Sequence, residues 1–520
     1  MNTTKIISSA LIASPFLASC VTLAQTTQQQ KKNILFITVD DLKPLLGCYG
    51  DPLAKTPNVD KLASRGAMFT HSYCQQAVSG PTRASLLTGK CPDYTKVWDL
   101  KTLIRDMNPE IVTLPQYLQG KGYATAGIGK IFDPRSVDKD EDKASWSVPY
   151  LHYEDFMDNS TGSIMGYQYR SPELRIKYNQ LMEEGKAAGK KGYELKKYVD
   201  ETLKPSTECI EINDEAYSDG AIAKGAVEFL NKQDGKNPFF LAVGFKRPHL
   251  PFVAPKKYWD LYKRGDMKLA EYRKKALNSP DFAYHNSGEL QAYTDIPPVY
   301  SFSDINNTVL TDEKALELIH GYYASISYMD AQLGKVLVEL ERKGMTKNTI
   351  IVLWGDHGWH LGDHGLWNKH SNFEQAAHTP LILVDPSVNK AVKVSSPVEF
   401  LDIYPTLCDL SGVGIPENLD GKSLKASLKK PDTKVKEYAV SQFPRGPRMG
   451  YSLRTEKYRY TVWVSWKDKV LDTNKVFAEE LYDYDKDPLE NVNVVDKKEY
   501  KQALETMKAH FEDFKTKRIK

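Results

Sequence analysis

The chain has 520 residues, 41% hydrophobic and 26% charged, the make-up of a globular protein long enough for one large α/β domain with an appendage or for several average domains. A formal charge of +3 and a pI near 8.2 are too mild to argue for nucleic acid as a partner, though they leave room for a local basic cleft. The 30 Tyr and 8 Trp are generous, and carbohydrate sites use such flat faces.

Residues 1–24 read as an export signal, with Lys5 as the charged start and Ile6 to Ala18 as an apolar run too short to anchor in a bilayer. Two processing sites compete. Leu17-Ala18-Ser19-Cys20 resembles a bacterial lipobox, which would leave Cys20 lipidated, and Thr22-Leu23-Ala24 suits ordinary cleavage before Gln25. The lipobox is preferred, because a cysteine after a small residue at the end of such a run is unusual. The expectation is export in a Gram-negative bacterium, to the periplasm or as a lipoprotein whose only membrane contact is that lipid. Residues 25–32 form a polar tether.

A catalytic domain is expected over 33–435. Asn33 to Val39 is apolar and β-branched, the signature of a central parallel strand, and ends in Asp40-Asp41. Thr56-Pro57 opens a helix with Thr as cap, closed by Gly66. Met68 to Cys74 reads as the next strand. Ser79-Gly80-Pro81-Thr82-Arg83 follows, continuing to Thr88-Gly89-Lys90, and on its own reads as a serine opening a Pro-started helix. Leu114 to Leu118 is a short helix and Tyr123 to Ile128 a strand ending at Lys130. Residues 134–212 read as charged insertions with helical patches. Asn213 to Asn231 is helical, Phe239 to Phe245 a buried strand, and 250–308 a long Pro- and Tyr-containing excursion. A helix runs from Thr311 to about Arg342. Thr349 to Trp354 is the strand before Asp356-His357, Pro380 to Val384 another, and Glu399 to Leu410 a helix. Strands alternating with helices predict a large, mostly parallel sheet sandwiched by helices. Over 436–520 the pattern changes to antiparallel strands (438–441, 450–454, 458–466) and a helix over 496–518, a small α+β subdomain.

None of Cys48, Cys74, Cys91, Cys209 and Cys408 has zinc-like spacing; a disulfide among them is allowed outside the cytoplasm, without a readable connectivity. Open α/β sheets bind ligands at the carboxyl ends of their strands. Asp40-Asp41 and Asp356-His357 both follow buried strands, and three carboxylates make a hard oxygen site suited to Ca²⁺ or Mg²⁺. His360, His364, His370 and His378 are read as structural or rim residues, and Cys74 as a buried small residue.

The run from Ser79 to Lys90 resembles the maturation signature of the type I sulfatases, whose first residue is oxidised to formylglycine. Its serine resembles the subtype matured by an anaerobic radical enzyme, which the likeness implies as a partner. An unmodified serine would become an inert sulfated alcohol, whereas a hydrated aldehyde attacks with one hydroxyl and expels sulfate through the other. Val39-Asp40-Asp41-Leu42-Lys43, Leu46 to Asp51, Gly129-Lys130, Ala242 to His249, Asp356-His357-Gly358-Trp359, Trp367-Asn368-Lys369 and Met449 to Arg454 are similar to the iduronate-2-sulfatase branch of that family, as are the Pro-His-Leu-Pro-Phe run and 458–464. The resemblance implies an alkaline-phosphatase-like fold and Ca²⁺ bound by Asp40, Asp41, Asp356 and His357 with the modified Ser79. It implies that Arg83 holds the formylglycine, that Lys130 and Lys369 grip sulfate, that His249 is the general acid and that Trp359 walls the sugar pocket. The family places a histidine shortly after the lysine at position 130. Here the run is Lys130-Ile131-Phe132-Asp133, so Asp133 or another histidine is left for the base. The implied activity is removal of the 2-O-sulfate from uronate residues (iduronate or unsaturated uronate) in heparin/heparan or chondroitin/dermatan sulfate oligosaccharides. Another carbohydrate sulfatase, a phosphate or phosphonate monoester hydrolase, and a non-catalytic binder of sulfated glycans stand as alternatives.

Overall fold

A computed structural model describes residues 1, 31–166, 168–297, 310–388 and 390–519. The export signal, Cys20 and most of the tether lie outside the described residues. The fold described is that of residues 32–519.

A seven-stranded sheet runs in the order Val392–Val394, Ala67–Phe69, Leu381–Val384, Thr349–Gly355, Asn33–Val39, Phe239–Phe245, Ala124–Gly129. Only Leu381–Val384 runs against the rest. Every residue of Asn33–Val39 is buried, as a strand covered on both faces requires. Successive side chains point to opposite faces. Leu35, Ile37 and Val39 join one core with helices Pro57–Ala63, Ser218–Asn231 and Asp312–Arg342. Ile34 and Phe36 join the other, with helices Ser79–Thr88, Leu114–Gly120 and Ile403–Ser411.

Register places the chemistry. Val39 pairs with Gly355 and Phe245, and Gly129 with Gly244, so the residues that follow, Asp40, Asp356, Lys246 and Lys130, leave the sheet at one edge. Helix Ser79–Thr88 starts at that edge, wholly buried, and ends at Gly89 in a left-handed conformation (φ 68°). Gly129 (φ 84°) has no substitute there: a Cβ would stand 2.2 Å from the carbonyl oxygen of Gly244.

The C-terminal strands Ala439–Arg445, Arg448–Arg454, Tyr458–Lys467 and Val470–Asp483 form an antiparallel meander. Helix Lys501–Arg518 lays Phe511 and Phe514 on Tyr451, with ring centroids 5.8 and 5.5 Å apart.

Three expectations are corrected. The strand expected over Met68–Cys74 is two, Ala67–Phe69 in the main sheet and Ser72–Tyr73 paired with Val398–Glu399. Thr56 does not cap its helix; its hydroxyl donates to Asp60 (3.2 Å) and accepts from the amide of Gly47 (3.0 Å). The meander has a fourth strand, Val470–Asp483, that the sequence reading lacked. The helical patches expected within 134–212 are helices Pro172–Ala187 and Gly192–Thr202. Cys48, Cys74, Cys91, Cys209 and Cys408 are all free, and Cys74 is buried. Among the described residues no helix is long and apolar enough to cross a membrane.

Candidate active site

The Ser79 hydroxyl lies 2.6 Å from Asp356 Oδ2, 3.1 Å from Asp40 Oδ1 and 3.3 Å from His357 Nε2, and accepts from Lys130 Nζ at 3.2 Å. Three strand ends and one helix start therefore meet at one hydroxyl. Arg83, one turn along the helix, is fully buried. Its Nε donates to Asp356 (3.0 Å), Nη2 to Asp40 (3.1 Å) and Nη1 to the carbonyls of Lys130 (2.5 Å) and Ile131 (3.1 Å).

Asp41 takes a left-handed backbone (φ 61°), uncommon outside glycine and a mark of functional sites. Its amide donates to Asp356 Oδ1 (2.9 Å), and its carbonyl accepts from the Tyr322 hydroxyl (2.6 Å), which in turn accepts from the Lys43 amide (2.9 Å). The turn aims the Asp41 carboxylate at Lys369 Nζ (3.1 and 3.2 Å). Asn368 and His370, flanking Lys369, also have positive φ (76° and 51°).

His249 Nδ1 lies 2.6 Å from the Leu250 carbonyl, which assigns the ring proton to Nδ1 and leaves Nε2 facing Glu289 (3.2 Å) and Asp41 (3.7 Å). Burial opposes charge on this imidazole, but Asp41, Glu289 and Asp40 hold its pKa above the ordinary histidine value. Burial likewise opposes ionisation of Asp40, and Lys130, His249 and Arg83 outweigh it, so that carboxyl lies well below the usual range. For Asp41 burial wins and the pKa rises. Glu289 is the residue the sequence reading missed. It accepts from Lys369 Nζ at 2.8 Å, and Lys369 and His249 overcome its burial to pull its carboxyl well down. It sits in short helix Gly288–Gln291, inside an aperiodic excursion that carried no signal for it.

Asp133 is not within hydrogen-bond reach of Ser79. Arg135 takes both its oxygens (2.9 and 2.8 Å), and although burial opposes ionisation, Arg135 and Lys130 bring its pKa down to about 2. So weak a base contributes little to proton abstraction near neutrality. The expected role of Trp359 is also corrected. With no exposed surface it cannot wall a pocket; it stacks on Tyr322 and lies under Lys369, whose Nζ is 4.8 Å from the ring centroid. His360 is buried against Ser371 (2.9 Å), and His364 stacks on Phe373 at 4.7 Å.

The donor set fits a hard divalent cation. Ligand atoms of Asp41, Asp356 and His357 lie within 4.8 Å of one another, and so do those of Asp40, Asp41 and His249. Three buried carboxylates crowded together favour an added positive charge, and oxygen-rich sets suit Ca²⁺ or Mg²⁺. Asp40, Asp41, Asp356 and His357, with the side chain at 79, would hold it.

A mostly parallel sheet that gathers acids, cations and a hydroxyl at one strand edge defines an enzyme for anionic esters on an alkaline-phosphatase-like scaffold. The pattern of the Sulfatase family matches residues 32–413, and that of the N-sulphoglucosamine sulphohydrolase C-terminal region matches 362–517. The chain belongs to the sulfatase family and is a sulfuric ester hydrolase. It is 31% identical to iduronate 2-sulfatase of Homo sapiens, over 91% of this chain and 94% of the relative. Two solved structures superpose with a TM-score of 0.69. One, a complex with its substrate D-glucosamine-2-N,6-O-disulfate, is 21% identical and covers 94% of this chain and 98% of its own. The other, the phosphonate monoester hydrolase of Agrobacterium radiobacter, is 22% identical and covers 94% and 96%.

Proposed function

We propose that this chain hydrolyses the 2-O-sulfate of uronate residues in glycosaminoglycan fragments after Ser79 is oxidised to formylglycine by a serine-type maturase. The observation that carries the chemistry is the Ser79 hydroxyl held among Asp40, Asp356, His357 and Lys130. The regiochemistry is supported by the near full-length likeness to a relative named iduronate 2-sulfatase. Export is supported by the apolar run Ile6 to Ala18.

Oxidation of Ser79 to an aldehyde, followed by addition of water, would supply a geminal diol as nucleophile, and Ca²⁺ would add positive charge for the sulfate oxygens. The chain's own residues do the rest. Arg83 clamps Asp40 and Asp356 and so orients the side chain at 79. Lys130 and Lys369 bring two ammonium groups to offset charge that builds on the sulfate. His249, oriented by the Leu250 carbonyl, presents Nε2 toward the cavity to protonate the leaving oxygen, with Glu289 beside it. Asp133 serves as the anchor that holds Arg135 beside Lys130.

The deciding experiment is a desulfation screen on defined disaccharides, with protein co-produced with the maturase. Sulfate release from 2-O-sulfated uronates is expected; release only from 6-O- or N-sulfated sugars would defeat the regiochemistry. Mass spectrometry of the Ser79 peptide tests the modification, expected about two mass units below serine because two hydrogens are lost. A Ser79→Ala variant is expected to fold, by circular dichroism, and to release no sulfate.

A further inference from the structure

A cavity of about 460 Å³ opens beside Asp40, Lys130 and His249 and continues to Lys246, Tyr153 and Glu141. Lys246 follows strand Phe239–Phe245 and so leaves the same sheet edge as Asp40, Asp356 and Lys130. Its backbone is held in place: the amides of Lys246 and Arg247 donate to Asp219 Oδ1 (2.9 Å) and Oδ2 (3.0 Å), and Oδ1 also accepts from the Ser218 hydroxyl (3.2 Å). Its ammonium donates to the Tyr153 hydroxyl at 2.6 Å and lies 3.9 Å from that ring's centroid. Among the described residues no carboxylate forms an ion pair with it. Burial lowers its pKa to about 8, which leaves most of it charged at neutral pH. Glu154, which lines the same cavity, and Asp219 favour its charge from beyond ion-pair distance; a half-buried cation with no carboxylate in contact is still costly, and one facing a ligand cavity is a receptor for an anion. Across the cavity, Glu141 has one buried oxygen without a partner, and burial pushes its carboxyl up to about 7. Such a group accepts or donates to a sugar hydroxyl without imposing a full negative charge.

We infer that Lys246, seated on Tyr153, is the anchor for a second anionic group of the substrate, next to the sulfate that is cleaved, with Glu141 bonding a hydroxyl of the same sugar unit. This rests on the sulfatase reading above and narrows it: the preferred substrate carries two anions, the scissile sulfate and either a carboxylate on the same ring or a sulfate on the adjoining sugar. Neutral sulfated sugars are poor substrates by the same argument.

The test compares the wild type with Lys246→Met and Lys246→Arg. The substrates are a 2-O-sulfated uronate disaccharide, its uronate methyl ester, and the forms with and without sulfate on the hexosamine. The wild type is expected to favour the form bearing the second anion by about 10- to 100-fold in kcat/KM, the scale of a charge-assisted hydrogen bond. Lys246→Met is expected to lose that preference and Lys246→Arg to keep it. Loss of preference for the free acid over the ester identifies the carboxylate, and loss of preference for the hexosamine-sulfated form identifies the second sulfate. A Lys246→Met protein that keeps both preferences overturns the inference. Calorimetry with the desulfated disaccharide, as acid and as ester, supplies a reading independent of turnover. If that binding preference depends on Lys246 while no sulfated sugar is hydrolysed, the anchor stands and the sulfatase assignment is what fails.

Discussion

Glu374 ties the segment that follows the main sheet's Thr349–Gly355 strand to the C-terminal meander, and Glu374→Gln should weaken that junction. Its carboxylate accepts from Tyr73 Oη (2.9 Å), Tyr484 Oη (3.0 Å), Arg454 Nε (3.2 Å) and Arg459 Nη2. Both guanidiniums are buried, with side chains 3% and 1% exposed. Glutamine keeps the shape but removes the charge, leaving Arg454 with no ion-pair partner among the described residues. Arg459 keeps Glu490 at 2.6 Å, which limits the damage. Breaking a buried pair costs about 3–5 kcal/mol. For a unit of about 490 residues, an unfolding entropy of about 2.1 cal/mol/K per residue totals roughly 1 kcal/mol/K, so about 4 kcal/mol lowers the melting midpoint by about 4 °C. Calorimetry at pH 7 on the intact protein reads this directly. Burial opposes the carboxylate while Arg454 and Arg459 hold its pKa far below the ordinary value of 4.5. The ion pair's contribution is therefore complete above that value and lost only in strong acid. A Glu374→Gln protein melting within about 1 °C of the wild type at pH 7 would refute the reasoning.

Two further outcomes follow from the same geometry. Glu399 is buried between Arg518 (2.8 and 2.8 Å) and Lys436 (2.5 Å), and these cations, against burial, bring its pKa from 4.5 to about 2. A depressed carboxyl stabilises the fold above its unfolded pKa and loses that contribution as pH falls through its folded one, so on the order of 3 kcal/mol should disappear between about pH 4.5 and pH 2. Denaturant titrations at pH 6 and pH 3 on wild type and Glu399→Gln check this, and an equal acid loss in both would refute it. Asp356→Asn should weaken divalent-ion binding, because it removes one of three carboxylates from the cluster; calcium titration calorimetry giving an unchanged Kd would dismiss that ligand.

The sheet was legible in the sequence because its central strands are buried on both faces and read as unbroken apolar runs. Val470–Asp483 escaped because its first ten residues are exposed or half-buried. Val470 and Phe477 are 70% and 41% accessible, and interspersed Lys, Glu and Asn leave no alternation to read. Met68–Cys74 read as one strand because burial does not reveal which ladder a segment joins. Thr70 still bonds Val394, while Ser72 and Tyr73 turn to Val398 and Glu399. That partition is set by partners more than 320 residues away along the chain.

For the site, position and environment separate cleanly. Strand ends are local facts, so Asp40, Lys130 and Asp356 could be placed from hydrophobic runs alone, whereas His249, four residues past its strand, came from the family likeness. Their states are not local. Asp133 stands at a position that invites a base, yet Arg135, two residues on, takes both its oxygens and removes its basicity. The family likeness implies Trp359 as a pocket wall, yet Tyr322, from the long helix Asp312–Arg342, covers it. Glu289 carries no motif at all and still touches both His249 and Lys369. Which carboxylate pairs with which cation decides who is acid, base or anchor here, and that pairing is made by packing between segments whose order along the chain does not disclose it.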